Sequence, residues 1–196
     1  MKFSAVLLAA GNSNRMGKMK GLLPWKGKTL FEHQLVTLKQ TSLSEVVVVL
    51  GRNADSFLKI SKSHPVTIVV NENYQTGKCS SILKGVHAVK DNADALFIVS
   101  VDQPVEVDVL NKMADSMKKY RPPVLVPVYK GKRGHPVLFS SAVMKDLLSI
   151  REETQGLRRI LQKHRKRVLE VPVNCPLIGL NLNTPEDYES AVQKQS

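Results

Sequence analysis

The chain has 196 residues, 42% of them hydrophobic and 23% charged, so it can bury a core and is not disordered by composition. Lys plus Arg number 29 against 17 Asp plus Glu, a net charge of +12 that attracts polyanions, while aromatic residues at 5% argue against a base-stacking RNA module. Cys79 and Cys175 are too few for a disulfide framework or a four-ligand zinc site, and no apolar run approaches the roughly 18 residues of a membrane span.

In chain order, apolar β-rich runs alternate with segments of helical period. Phe3–Ala9 is a buried-type strand; it reads as that rather than as a signal peptide, so a cytoplasmic location is expected. A small-residue loop over 10–20 follows. The stretch 29–40 carries Leu30, Phe31, Leu35, Val36 and Leu38 at helical spacing, with Thr29 as N-cap. Strands are predicted over 46–50, 66–70 and 95–101, and helices over 53–61, 80–90 and Val107–Tyr120. This order with continuous apolar strands predicts a three-layer α/β/α domain, its mainly parallel sheet covered by helices on both faces. After Pro122-Pro123 the texture changes: strands at Val124–Tyr129 and 136–139 flank a basic turn, helices follow over 142–150 and 155–163, then strands over 168–173 and 177–182, and a last helix after Pro185. With no repeat and no long linker, residues 1–196 read as a single domain.

Five stretches carry chemistry. Leu8-Ala9-Ala10-Gly11-Asn12-Ser13-Asn14-Arg15-Met16-Gly17-Lys18-Met19-Lys20 lies at the carboxyl end of the first strand, where open α/β sheets bind ligands. Gly11 and Gly17 would let backbone N–H groups approach phosphate oxygens, and Arg15 and Lys20 add positive charge. Neither a Walker loop nor a G-x-G-x-x-G dinucleotide loop is present. Asp102, in Asp102-Gln103-Pro104, ends the most hydrophobic strand; a carboxylate there needs a cation, such as magnesium shared with nucleotide phosphates, unless it is a turn residue before Pro104.

The third stretch, from Asn71 through Gly77 to Ser80-Ser81, opens a helix that Ser80 could cap. Within it Cys79 reads as a small buried residue rather than a nucleophile. The fourth, Arg133-Gly134-His135-Pro136-Val137-Leu138-Phe139, follows the basic turn, where His135 is either structural or ligand-facing. The last, Asn181-Leu182-Asn183-Thr184-Pro185, reads as a strand end and a helix start with Thr184 as N-cap. Six Lys/Arg and His164 crowd residues 158–167; a solvated face is the default reading, a contact for an anionic cofactor or a partner protein the sharper one, and a nucleic-acid patch the third.

The first loop, read as Leu-Ala-Ala-Gly-x-Ser-x-Arg-Met-Gly-x-x-Lys-x-Leu-Leu, resembles the signature loop of the molybdenum-cofactor nucleotidyltransferases (MobA-like NTP transferases). The resemblance implies a Rossmann-like nucleotidyltransferase fold, with residues 1–121 binding the nucleotide and 122–196 the acceptor. Leu8, Ala9, Ala10 and Gly11 would then wrap base and triphosphate, Arg15 and Lys20 would hold phosphate oxygens, and Asp102 would bind Mg2+. Catalysis is expected to rest on Arg15, Lys20 and Asp102. Gly77, Ser80 and Ser81 would lie beside base and ribose, and Arg133, Gly134, His135 and Arg158 would border the acceptor. Thr154 stands where the family's Gly-x-Arg segment is usually preceded by Asp.

The Asp-Gln-Pro and Arg-Gly-His-Pro forms look like the cytidylyl branch, implying CMP transfer from CTP to molybdopterin with release of pyrophosphate. Asn183 replaces a branch Asp that can face the metal, a form more like the guanylyl branch; its amide oxygen can still ligate magnesium. GTP as donor, another small-molecule nucleotidyltransferase such as one acting on a sugar phosphate, and a non-catalytic accessory protein for a molybdenum hydroxylase are the alternatives. A molybdenum hydroxylase or its accessory protein is the protein partner implied.

Overall fold

A computed structural model describes residues 1–11, 16–51, 54–90 and 92–193. The first part runs β1 (Phe3–Ala9), a short hairpin of β2 (Pro24–Trp25) and β3 (Lys28–Thr29), α1 (Leu30–Lys39), β4 (Leu43–Leu50), α2 (Ala54–Ser61), β5 (Thr67–Val70), α3 (Lys78–Ala88), β6 (Ala95–Ser100) and α4 (Val107–Tyr120). The second holds β7 (Val124–Tyr129), β8 (Lys132–Arg133), β9 (Val137–Ser140), α5 (Met144–Leu147), α6 (Leu157–Lys163), β10 (Val168–Pro172) and α7 (Pro185–Gln193).

Among the described residues one eight-stranded sheet runs through both parts in the order β10-β7-β9-β6-β1-β4-β5, with β8 added to β7. β1 is central and wholly buried, paired in parallel with β4 and β6. Its alternate side chains face opposite layers, as the two-residue period of a strand requires. Phe3, Ala5 and Leu7 pack with Phe31, Leu35 and Phe57, while Val6 and Leu8 pack with Ile82, Val86 and Phe139. The three-layer architecture is therefore as expected, but the sheet is mixed: β9 runs antiparallel to β6 and β7, and β8 antiparallel to β7. The connection from β7 to β9 is too short for the crossover that a parallel pair needs.

Local chemistry explains most element ends. Thr29 caps α1 as expected, its Oγ1 accepting from Glu32 N at 3.1 Å. Two expectations are corrected. α3 begins at Lys78, with Gly77 (φ 121°) as its N-cap, so Ser80 lies in the first turn and does not cap the helix. The stretch 177–182 is not a strand: Pro176–Gly179 forms a tight turn and extended chain follows, its backbone bonded only at separate points, to His135 and to Asp102. Asn53 of the predicted second helix lies outside the described residues. No helix among the described residues is long and apolar enough to cross a membrane.

Candidate functional site

β1 and β6 are parallel neighbours with Leu8 opposite Ser100, so their carboxyl ends deliver two predicted motifs to the same sheet edge. Val101 N donates to Leu8 O at 3.0 Å and locks that junction. A cleft of about 330 Å³ opens there. Leu8, Ala9, Ala10 and Gly11 form one wall, and Lys20, Gly77, Ser81 and Asp102 also line it. Ser80 does not: its hydroxyl is bound to Gly77 O at 2.8 Å and accepts from Asn71 Nδ2. Buried Asn71 also donates to Ser81 Oγ at 2.9 Å, which fixes the cleft-facing serine. Arg15 lies outside the described residues.

At the mouth of the cleft, three distant segments meet. Lys20 Nζ donates to Asp102 Oδ2 at 2.9 Å and to Asn183 Oδ1 at 2.8 Å. Asn183 is held there from both sides. Leu182 N donates to Asp102 O, and Asp187 Oδ2 accepts from Asn183 N and Thr184 N while Asp187 N donates to Thr184 Oγ1, the reciprocal cap that starts α7. A carboxylate and an amide oxygen thus converge on one cationic nitrogen. Such hard oxygens suit a divalent cation whose other ligands are water and phosphate, as magnesium prefers. Among the described residues no cluster of three or more His, Cys, Asp or Glu could hold a metal by itself.

The expected acceptor residues are not all brought together. His135 donates its backbone N–H to Ile178 O at 2.7 Å and lies within electrostatic reach of Lys78 and Asp102, which line the cleft. Burial first, and then the Lys78 charge, push the imidazole down to about 4 against the opposing pull of Asp102, so it is neutral at physiological pH. Gly134 is packed against the Ile178 backbone, where a side chain would collide. Arg133 is turned outward on β8, its Nε donating to Glu170 Oε1 at 2.7 Å. Arg158 is exposed in the first turn of α6.

Because His135 titrates near 6.5 when unfolded and near 4 when folded, the unfolded chain binds more protons between those values. Stability should therefore fall as pH drops through that window. His135→Asn is expected to flatten the slope, measured by urea denaturation at several pH values across it.

Sequence reading passed over Lys78. Its Nζ lines the cleft and donates to Ser100 Oγ at 2.8 Å. Burial lowers its pKa, opposed mainly by Asp102. The letter was visible; the glycine cap that aims it was the missed signal. Cys79 is a buried structural residue: desolvation and the neighbouring Glu152 carboxylate raise its thiol to about 11, which keeps it protonated.

Comparison with known proteins shows the family. The MobA-like NTP transferase domain model matches residues 5–168. The chain is 31% identical to a nicotine blue oxidoreductase of Paenarthrobacter nicotinovorans, across 82% of the chain and 81% of that protein. It is 26% identical to the molybdenum cofactor cytidylyltransferase of Escherichia coli K12, across 96% and 95%. Rv0371c of Mycobacterium tuberculosis superposes with a TM-score of 0.86 at 26% identity, covering 98% of this chain and 97% of that one. A manganese complex of Rv0371c superposes at 0.81 with 24% identity, covering 98% and 99%. The chain belongs to the MobA-like NTP transferase family and is a nucleotidyltransferase.

Proposed function

We propose that the protein transfers CMP from CTP to the terminal phosphate of molybdopterin, releasing pyrophosphate. The observation that carries this reading is the junction of Lys20, Asp102 and Asn183 at the mouth of a cleft walled by Leu8–Gly11 backbone. A phosphate oxygen of the acceptor attacks the α-phosphorus of CTP; a new P–O bond forms, and the bond to the oxygen bridging α and β phosphorus breaks, its electron pair leaving with pyrophosphate. That nucleophile is already anionic near neutral pH, so no strong general base is required. Neutral His135 fits this: it borders the acceptor as a hydrogen-bonding wall rather than as a base.

Catalysis then rests on positioning and charge. Backbone of residues 8–11 with Gly77 and Ser81 holds base and ribose, Ser80 acting only through Asn71, which also fixes Ser81, and Lys20 with Arg15 holds phosphate oxygens. Asp102 and Asn183 are the residues that would hold magnesium, which when bound adds positive charge against the triphosphate. The acceptor lies on residues 122–196, beside Gly134, His135 and Arg158, with Arg133 held away by Glu170, and its nucleotide form would pass to a molybdenum hydroxylase or an accessory protein. A cytoplasmic location suits this chemistry.

GTP is the second donor to test, favoured by one observation: Asn183, not a carboxylate, stands opposite Asp102 across Lys20. Pyrophosphate release should be measured with CTP, GTP, ATP and UTP, with and without magnesium, on molybdopterin. CTP-dependent release that requires magnesium is expected. Release with GTP alone would transfer the assignment to the guanylyl reaction. No release with any of the four nucleotides, with or without magnesium, would overturn the proposed transfer to molybdopterin.

A further inference from the structure

We infer that the Lys78 ammonium receives the attacking phosphate of the acceptor, making Lys78 the residue that selects a phosphorylated acceptor. The inference rests on the proposed transfer between two phosphates. Lys78 is the first residue of α3, and its side chain reaches back over the sheet to Ser100 at the end of β6. Ser100 sits opposite Leu8 of β1, on the nucleotide side. On the other side, β6 pairs with β9 from Ala95↔Ser140 to Ile98↔Val137, so the segment containing His135 leads directly into the strand beside β6. The ammonium is therefore held above the strand that divides the nucleotide wall from the acceptor segment, where the two reacting phosphates must meet.

Charge supports the same placement. Among the described residues Lys78 makes one side-chain hydrogen bond, to the neutral Ser100 hydroxyl, which leaves two of an ammonium's three N–H groups for a ligand. Asp102, the carboxylate acting on it most strongly, is already bonded to Lys20. A cleft-lining ammonium bonded to a neutral hydroxyl suits an anion, and a phosphate monoester brings two negative charges. The other groups expected at the acceptor do not meet that need from within the cleft: Arg133 is paired outside it with Glu170, and His135 is uncharged. A neutral hydroxyl acceptor would bring that ammonium no counter-charge.

The test compares Lys78→Met and Lys78→Arg with the wild type. Loss of a charge-assisted bond predicts that Lys78→Met raises the acceptor KM about 30-fold with the CTP KM changed less than about 3-fold, and that Lys78→Arg recovers most of the loss. A rise in the CTP KM with an unchanged acceptor KM would instead assign Lys78 to the nucleotide and overturn the inference. A second readout needs no turnover. Side-chain NMR of labelled lysine, with the Lys78 signal assigned by its loss in the Met variant, is followed while inorganic phosphate is titrated into protein saturated with a non-hydrolysable CTP analogue. A shift at Lys78 that chloride does not reproduce is expected; no shift overturns the inference whether or not transfer is observed. A wild type that releases no pyrophosphate while Lys78 responds to phosphate overturns the transfer reading alone.

Discussion

Asp102→Ala is expected to lower kcat/KM for nucleotidyl transfer about 10³-fold, the scale of losing a preorganised charge at a phosphoryl centre. Asp102 contributes in two ways that no neighbour duplicates. It is the carboxylate of the Lys20–Asp102–Asn183 junction, and it fixes the direction of the Lys20 ammonium. Without it, Lys20 retains Asn183, a neutral acceptor, and swings away from the place it must occupy against the triphosphate. Asn183→Ala should cost less, about 10-fold, because an amide oxygen carries no formal charge. The pair is only partly buried, with side-chain exposures of 13% for Lys20 and 22% for Asp102, so unfolding free energy should change by no more than about 1 kcal/mol in Asp102→Ala. Steady-state kinetics beside thermal unfolding separates the two effects. Wild-type rates in Asp102→Ala would sink the site assignment.

A second large effect is expected far from the junction, at Gly85. This glycine lies where α3 crosses β1 and β4, and a Cβ there would collide with Val6 Cγ1 and come within 2.8 Å of Val49 Cγ2. These valines sit in a packed layer that cannot yield by more than a few tenths of an ångström. Gly85→Leu should destabilise the protein by about 3 kcal/mol and lower Tm by about 10 °C. It should also weaken nucleotide binding, since displacing α3 moves Lys78 and Ser81, which line the cleft. Gly179→Ala is the control: nothing lies within 4 Å of the position its Cβ would take. Thermal scans of both variants, read against nucleotide titrations, test whether the tight crossing of α3 supports the site.

Much of this arrangement was legible in the sequence because its signals are local. Phe3–Ala9, Val107–Tyr120 and Val124–Tyr129 end where their apolar patterns end. The hairpin of β2 and β3 was missed because two-residue strands have no period, although Lys26 and Gly27, both with positive φ, form the kind of turn that joins such strands. The antiparallel course of β9 is also invisible in its own residues, since a buried strand reads the same in either direction; only the shortness of its connection to β7 carries the information. Within 177–182 the apolar letters suggest a strand, but the turn at Pro176–Gly179 packs beside β7 and β8 without joining their ladder, and the chain is tethered instead at Ile178 and Leu182.

The site shows the same division. Each of Lys20, Asp102 and Asn183 could be singled out from its motif, but not the fact that one ammonium bonds both oxygens across 82 and 163 residues of sequence. Arg133 is expected from the sequence to border the acceptor; its pairing with Glu170 is invisible there because Glu170 lies on a strand that only the sheet brings near. In the basic run, Lys163 and His164 bond Asp146 at 2.6 and 2.7 Å and tie α6 to α5, so part of that charge is structural.

Asn183 is thus tied to the rest of the site by hydrogen bonds and not by a strand of the sheet: Leu182 N on Asp102 O, and the cap of α7. Tyr188 Oη in turn donates to Pro24 O, so α7 is moored to the short hairpin of β2 and β3. A local opening of α7 would therefore withdraw the amide oxygen from Lys20 while leaving every strand pair of the described sheet intact, and hydrogen exchange of the α7 amides would report it.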